Sequence, residues 1–497
     1  MTTASVLSHI NNHSLLQNWL QESSSSDTFQ VHNPARPDEV VAYLSNKGRR
    51  ETREAIATAA KALSSWRDDM TASDRAQKLK KWHSLIHENR EDLAKIMTLE
   101  SGKPLAESMS ELTHGNSFVE WFAAEAVRQN GPGGGFQMPT TFTTEKGSPR
   151  GKVLGIKQAV GVAALITPWN FPLAMITRKG APALAAGCTV VIKPSGRTPL
   201  TTLALQNLAQ EAGIPAEVMQ VVTAEHGTDI GHELCTNPGV AKVSFTGSTS
   251  VGKQLMEWSS STVKHVSMEL GGNAPFIVFE DADLDQAVRA AVASKFRNAG
   301  QTCVCADRFL LHDSIHDEFV ERLLKKIDES IHVGDGMDEG TTMGPLITKS
   351  AASNTYETIQ KAVKEGAKCV YGDVDEKPSG QFYNPTVLTN VSTESLVWHD
   401  ENFGPVVPIR SFSNEEEALK VANDSNVGLA SYFCTRDMSR AFRFAERLET
   451  GMVGVNDGIM STCVAPFGGV KESGLGREGG SLGLEEYLET KYIFLNV

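Results

Sequence analysis

The chain has 497 residues, 40% hydrophobic and 22% charged, an ordinary composition for a globular protein in water. At roughly 150 residues per domain this length accommodates about three domains, each able to bury a core without disulfide or metal staples. The net charge of −13, from 47 Lys and Arg against 60 Asp and Glu, argues against nucleic acid or an anionic membrane as partner. No charged n-region followed by an apolar core opens the chain, and its first Lys or Arg is Arg36. Glu22 and Asp27 disfavour a mitochondrial presequence, so a cytoplasmic location is expected. Residues from about 35 to 130 read as helical, with long mixed-charge stretches. His83 and His87 share a face there with Lys80, Lys81, Glu88 and Arg90, which marks a solvated surface rather than a metal site. Gly131 to Gly135 breaks this region. Residues 136–160 read as a β-hairpin, with arms at 140–143 and 152–157 and turn chemistry in Lys146-Gly147-Ser148-Pro149.

From 160 to 281 short apolar runs alternate with helical patterns. Strands are predicted at 162–166, 189–192, 219–222, 243–245 and 276–279, with helices such as 200–212 and 251–258 between them. That alternation specifies an α/β protein with a parallel sheet, whose ligands bind beyond the carboxyl ends of the strands. A second α/β block follows, with helices near 284–299, 315–327, 351–364 and 438–448 and strands near 308–311, 406–409 and 452–455. The tail, 492–497, is an apolar strand that needs a partner from the early hairpin or another subunit. The longest apolar stretch, 159–176, is interrupted by Pro168, Asn170 and Pro172 and is no membrane span. Seven cysteines without framework spacing fit a reducing compartment, and no His/Cys cluster has zinc spacing, so no metal is expected.

Two segments have phosphate-loop character. Gly474-Leu475-Gly476-Arg477-Glu478-Gly479 matches GxGxxG, but no strand precedes it and too few residues follow for a βαβ unit. It reads as a flexible loop on the active-site side. Gly247-Ser248-Thr249-Ser250-Val251-Gly252-Lys253 lies between a strand and a helix, where backbone N–H groups favour a phosphate. The next residue is Gln254, so the hydroxyl that an NTPase needs on Mg²⁺ is missing. Pyrophosphate of a dinucleotide and a plain capped helix start both fit.

Pro168-Trp169-Asn170-Phe171-Pro172, Glu269-Leu270-Gly271-Gly272 and Gly300-Gln301-Thr302-Cys303 appear in one order with Ile192-Lys193-Pro194-Ser195, Phe245-Thr246-Gly247-Ser248-Thr249, Glu401-Asn402-Phe403-Gly404-Pro405 and Pro466-Phe467-Gly468-Gly469. Together they resemble the aldehyde dehydrogenase superfamily over almost the whole chain after about residue 30. The resemblance implies an α/β fold with a Rossmann-type cofactor domain (1–135 and 160–268), an α/β catalytic domain (269–480) and a small β oligomerisation arm (136–159 and 481–497). It implies a homodimer or a homotetramer. It implies Cys303 as nucleophile, Asn170 as oxyanion donor, and Glu269 as the base that activates water against the thioester. A free thiol is only a few per cent thiolate at neutral pH, so Cys303 needs nearby donors or cations, among which the resemblance suggests Lys179. Glu478 is implied as a proton relay. Lys193, Ser195 and Glu401 would hold the cofactor riboses and their surroundings, Gly247 and Ser248 the pyrophosphate, and Trp169 and Phe403 the nicotinamide.

NAD-preferring relatives often carry Glu three residues after the Lys of the Lys-Pro segment; here that position is Gly196, followed by Arg197. Loss of a carboxylate removes repulsion against a 2′-phosphate, so NADP is the expected cofactor, with NAD also admitted. Ala174-Met175-Ile176-Thr177-Arg178-Lys179 and Arg297 to Cys305 resemble the succinate-semialdehyde dehydrogenase branch. The expected substrate is a small aldehyde with a distal carboxylate, either succinate semialdehyde or a neighbour such as glutarate semialdehyde. Arg178 lies eight residues after Asn170, and Arg297 six before Cys303, where guanidinium forks can clamp that carboxylate. Ser461 is the implied third contact, with Thr462 beside it. Cys305 is implied as a redox partner of Cys303.

Overall fold

The computed structural model describes residues 5–21, 25, 27–128, 131–372 and 374–496. A hairpin comes first, β1 (Thr28–Asn33) and β2 (Arg36–Ser45), where the sequence reading had placed helix from about residue 35. Alternate residues of β1 are buried, so one of its faces lies on the core. Helices α1 (Arg49–Arg67), α2 (Ala72–Glu88), α3 (Arg90–Ser101) and α4 (Leu105–Glu125) follow. The starts of α1 and α2 are capped by side chains. Glu51 accepts the Gly48 N–H at 2.8 Å before α1, and Thr71 and Asp74 cap each other's backbone at α2.

Strands β3 (Gly135–Met138) and β4 (Lys152–Ala159) pair antiparallel. The predicted arm at 140–143 is not the paired strand: the Thr-rich segment contributes only an isolated bridge, Thr143 to Pro149, and pairing with β4 moves to Gly135–Met138.

The first parallel sheet runs β5 (Val162–Ile166), α5 (Ala174–Ala186), β6 (Thr189–Lys193), α6 (Leu200–Glu211), β7 (Met219–Val221), α7 (Thr228–Thr236), β8 (Lys242–Thr246), α8 (Thr249–Ser260) and β9 (His265–Glu269). Every residue of β5 is buried, as a strand covered by helices on both faces requires. Spatial order is β9-β8-β5-β6-β7. The chain winds outward from β5 to β7, then crosses to β8 on the other side of β5. That reversal opens a crevice between the carboxyl ends of β5 and β8, the usual place for a ligand in such a sheet. All thirteen residues of α5 are buried.

The second block comprises β10 (Ala274–Val278), α9 (Leu284–Phe296), β11 (Ala306–His312), α10 (His316–Ser330), α11 (Lys349–Lys364), β12 (Lys368–Tyr371), β13 (Thr386–Thr389), α12 (Leu396–His399), β14 (Val406–Phe412), α13 (Glu415–Asn423), β15 (Val427–Gly428), β16 (Ala430–Cys434), α14 (Met438–Arg447) and β17 (Met452–Val455). Among the described residues its sheet has the order β12-β13-β14-β11-β10-β16-β17, parallel except for β12. Each sheet has its own large apolar core.

The chain then returns. β18 (Val470–Lys471) pairs with β15, and β19 (Gly474–Leu475) adds antiparallel to β9, Gly474 opposite Glu269. The GxGxxG segment is therefore an edge strand and turn, not a phosphate loop or an unpaired flexible one. A short helix, α15 (Gly480–Glu485), packs on α4 and α5. Only then does β20 (Leu488–Leu495) begin, later than the expected boundary at 481, and it pairs with β4 from Leu488 opposite Ala159 to Leu495 opposite Lys152. The terminal strand's partner is thus the early hairpin of the same chain. Val497, at the end of the predicted tail strand, lies outside the described residues. Among the described residues no helix is long and apolar enough to cross a membrane.

Gly474 has φ +125°, and a Cβ there would meet the Met268 carbonyl oxygen at 1.7 Å. Substitution must push β19 off β9 and displace Glu269. Gly474→Ala is expected to cut turnover about a hundredfold, as a misplacement of about 1 Å can, while circular dichroism still reports a folded chain. Unchanged turnover would remove β19 from the site's support.

Candidate active site

Three backbone turns converge where the two sheets face each other: 167–171 after β5, 269–273 after β9, and 297–305 before β11. The last has an unusual shape. The helix ends at Phe296, short of the expected 299, because Asn298 and Ala299 turn left-handed with φ of 52° and 55°. Such non-glycine residues cost about 1 kcal/mol or more each, so other contacts must hold them. Glu107 of α4 accepts the Asn298 N–H at 2.9 Å, and Asn298 Nδ2 donates to the carbonyls of Asn170 and Gln301. Gln301 Oε1 accepts the Ile347 N–H at 2.8 Å. Gly300, φ +77°, passes so close to Gly404 that a Cβ would meet its carbonyl oxygen at 2.2 Å. This frame presents Cys303.

Asn170 is buried, and its Nδ2 donates to the Gln301 carbonyl at 3.1 Å. Its own carbonyl accepts from Lys103 Nζ at 2.7 Å. Lys103 is paired with Glu111, and Glu111 accepts the N–H groups of Leu173 and Ala174 at the start of α5. Lys103, Glu107 and Glu111 therefore fix the asparagine turn and the cysteine loop together. The sequence reading missed all three. Their signal was a polar stripe at helical spacing, which α4 turns inward rather than to solvent.

Removal from water pushes the Cys303 thiol up to about 12. The carboxyls of Glu401 and Glu269 push it the same way, while Arg178 and Arg297 oppose them. Lys179, the cation expected near this thiol, instead bonds Glu478 and donates to Ser244 Oγ at 3.2 Å. Among the described residues neither carboxyl oxygen of Glu269 has a hydrogen-bond partner. Burial raises this group well above its usual 4.5, and the charge of Glu478 adds to that. Burial would raise Glu478 too, but its ion pairs with Arg178 and Lys179 hold it below the usual value. Two adjacent carboxyls are thus shifted in opposite directions, Glu269 toward its neutral form and Glu478 toward its charged one.

Cys303 lines a small cavity of about 90 Å³ together with Phe171, Met175, Arg178, Arg297, Ser461 and Phe467. The Arg178 guanidinium lies 4.2 Å from the Phe467 ring centroid, and that of Arg297 5.4 Å from Phe171. Thr462 is exposed and off the cavity. Cys305 is also off it, buried, with Sγ 3.5 Å from the Lys295 carbonyl. Both thiols are free.

On the other side, Lys193, Ser195, Gly196 and Arg197 line a cleft of about 660 Å³. Lys193 ends β6, and burial draws its ammonium down to about 8. Gly227 leaves room for it, since a Cβ there would meet Nζ at 2.5 Å. A Cβ on Gly196 would meet the Ala224 carbonyl at 2.5 Å. Gly247 and exposed Ser248 form the turn from β8 into α8. Glu401 abuts Gly271 and Gly272 and accepts the Gly272 N–H at 3.3 Å; burial, with Asp307 adding, raises it to about 8. Trp169 and Phe403 meet edge to face at 5.6 Å. A buried ammonium, an open helix start and an aromatic pair around one crevice fit a dinucleotide.

A doubly wound sheet that opens across one cleft onto a second α/β layer, with Cys303 beside that junction, has the architecture of a dinucleotide-dependent enzyme. The chain belongs to the aldehyde dehydrogenase family, which it matches over residues 19–493, and it is an NAD(P)-dependent aldehyde dehydrogenase. It is 50% identical to glutarate-semialdehyde dehydrogenase of Pseudomonas putida over 96% of each chain. It is 49% identical to the NADP(+) succinate-semialdehyde dehydrogenase of Escherichia coli, again over 96% of each. The crystal structure of succinate-semialdehyde dehydrogenase from Burkholderia pseudomallei superposes with a TM-score of 0.93, at 45% identity, over 98% of this chain and 100% of that one.

Glu269 carries a pH prediction. Its carboxyl keeps a proton in the folded state that the unfolded chain releases above about 4.5, so its contribution weakens folding as pH rises from there. Glu269→Gln removes that slope. The variant's Tm, relative to the parent, is expected to rise between pH 4 and pH 8; a constant gap would contradict the buried neutral carboxyl.

Proposed function

We propose that this enzyme oxidises succinate semialdehyde to succinate. The observation that carries this is the pair Arg178 and Arg297 in one small cavity with Cys303 and Ser461. Two guanidiniums, each stacked on an aromatic ring, suit a carboxylate held a short chain away from the reacting carbon.

Cys303 gives its thiol proton to water, and the thiolate Sγ attacks the aldehyde carbon to give a thiohemiacetal oxyanion. Asn170 Nδ2 and the Cys303 backbone N–H stabilise this oxyanion, a donor of this kind contributing about 3 kcal/mol. The bound substrate lies between the cations that favour the thiolate. Bound NAD(P) supplies the hydride acceptor, and a thioester remains on Cys303. Glu269 then takes a proton from the water that attacks the thioester. Its unpaired oxygens are free for that water, and its raised proton affinity makes deacylation faster as pH rises. Glu478, held by Arg178 and Lys179, relays the proton onward. Lys193, Ser195 and Glu401 hold the cofactor riboses and their surroundings, Gly247 and Ser248 the pyrophosphate, and Trp169 and Phe403 the nicotinamide.

NADP is the preferred cofactor in this reading. Main-chain oxygens of 224 and 225 leave no room for a side chain at 196, and Arg197 lines the same cleft. The named cofactor of the Escherichia coli relative agrees. A second reading, glutarate semialdehyde, is supported by the Pseudomonas putida relative. The domain division follows the same assignment: cofactor binding in 1–135 and 160–268, catalysis in 269–480, and subunit contacts by the sheet of β3, β4 and β20.

Steady-state kinetics on succinate semialdehyde, glutarate semialdehyde and butanal with both cofactors test this. The expected kcat/KM order places succinate semialdehyde with NADP first. Arg297→Leu is expected to raise its KM about tenfold to a hundredfold, the loss of one charged hydrogen bond, with a much smaller effect on butanal. Arg178→Leu, which also removes the partner of Glu478, is expected to lower kcat for both aldehydes and to raise KM only for the semialdehyde. Equal losses on both aldehydes would refute the clamp, and a strong NAD preference would refute the cofactor assignment.

A further inference from the structure

His114 is a titratable group in the substrate cavity with no assigned task. His114 lies on the α4 stripe that also places Glu107, Ser110 and Glu111 on the cavity wall, opposite Met175 and Arg178 of α5. The two carboxylates of that stripe are committed: Glu107 to the Asn298 N–H, Glu111 to Lys103 and the start of α5. His114 is not. Among the described residues no hydrogen bond to either of its ring nitrogens is formed, and its ring meets only Phe118, edge to face at 5.1 Å. Its field comes from Arg178 and Arg297, the same two cations that flank Cys303. Burial and these cations draw the imidazole down to about 4, so it stands neutral, with one N–H donor available.

We propose that His114 is a substrate-recognition residue, donating a hydrogen bond to the distal carboxylate held between Arg178 and Arg297, in addition to the contact assigned to Ser461. This rests on the carboxylate-bearing substrate proposed above. A half-buried ring nitrogen facing an otherwise mostly committed wall is best satisfied by a ligand acceptor, and the carboxylate is the acceptor that both cations bring there. A neutral donor complements two charged ones. It adds directional selectivity without a third positive charge to desolvate when the cavity is empty of substrate. An aldehyde with an uncharged tail gains nothing from it, so the residue acts on discrimination rather than on chemistry.

The test compares His114→Phe, which keeps the ring and loses the donor, with His114→Gln, which keeps a donor. For succinate semialdehyde the Phe variant is expected to raise KM about tenfold, the equivalent of one lost hydrogen bond, with kcat within about twofold and butanal kinetics unchanged. The Gln variant is expected to recover most of that loss. Calorimetric binding of succinate, the product, gives the same comparison without turnover, and thermal melts confirm that each variant is folded. If Phe shifts both aldehydes alike, or leaves KM for the semialdehyde unchanged while Arg178→Leu still discriminates, the role of His114 is overturned and the clamp stands. If the parent enzyme itself does not prefer the semialdehyde to butanal, both readings fall.

Discussion

Glu478 is held between two buried cations, Arg178 and Lys179, next to Glu269, a carboxyl with no hydrogen-bond partner among the described residues. Two carboxylates this close and this dry cannot both ionise at low cost, and the ion pairs decide which one does. The arrangement draws on distant parts of the chain. Arg178 and Lys179 come from a helix buried along its whole length, Glu269 from the end of β9, and Glu478 from a strand-and-turn that returns after the second sheet is complete. Arg178 also lines the cavity beside Cys303, so the residue that keeps Glu478 charged is the residue offered to the substrate.

The scaffold serves the same end by two frames. One fixes the asparagine turn through Lys103 and Glu111; the other fixes the left-handed loop before Cys303 through Glu107 and Asn298. Both start from α4 and its preceding turn. The cofactor crevice needs no such reinforcement, because it follows from the order in which β5 to β9 are wound.

Much of this was readable in the chain. The strands at 162–166, 189–193 and 242–246 centre on apolar residues, all of 162–166 with Val190, Val191, Ile192, Val243 and Phe245, and are buried along almost their whole length, which leaves few alternatives. Of the residues expected from resemblance at the catalytic and clamp positions, Cys303, Arg178, Arg297 and Ser461 line one cavity, and Asn170 and Glu269 are outside its lining. What was hidden depends on neighbours far away in sequence. β9 carries His265, Ser267 and Glu269, too polar to read as an inner strand until β8 and β19 pair with it. Glu107, Glu111 and His114 look like the wet face of an amphipathic helix, and only the packing of α4 on α5 turns them inward. The Thr-rich 140–143 segment has high strand propensity, but Gly135 lies so near the Gly155 carbonyl that a Cβ would meet it at 2.0 Å, and the ladder forms there.

Gly196 shows how such contacts constrain change over evolutionary time. The carbonyl oxygens of Ala224 and Glu225 stand 2.5 and 2.7 Å from where its Cβ would be. A lineage cannot acquire the ribose-binding carboxylate of NAD-preferring relatives by one substitution at this position, because the main chain of the facing segment blocks the side chain before its charge can act. The segment around 224–227 must be remodelled first, and that step moves the glycine beside Lys193 with no benefit of its own. A side chain at this position is therefore limited by the path of a neighbouring loop as much as by any ribose it would touch.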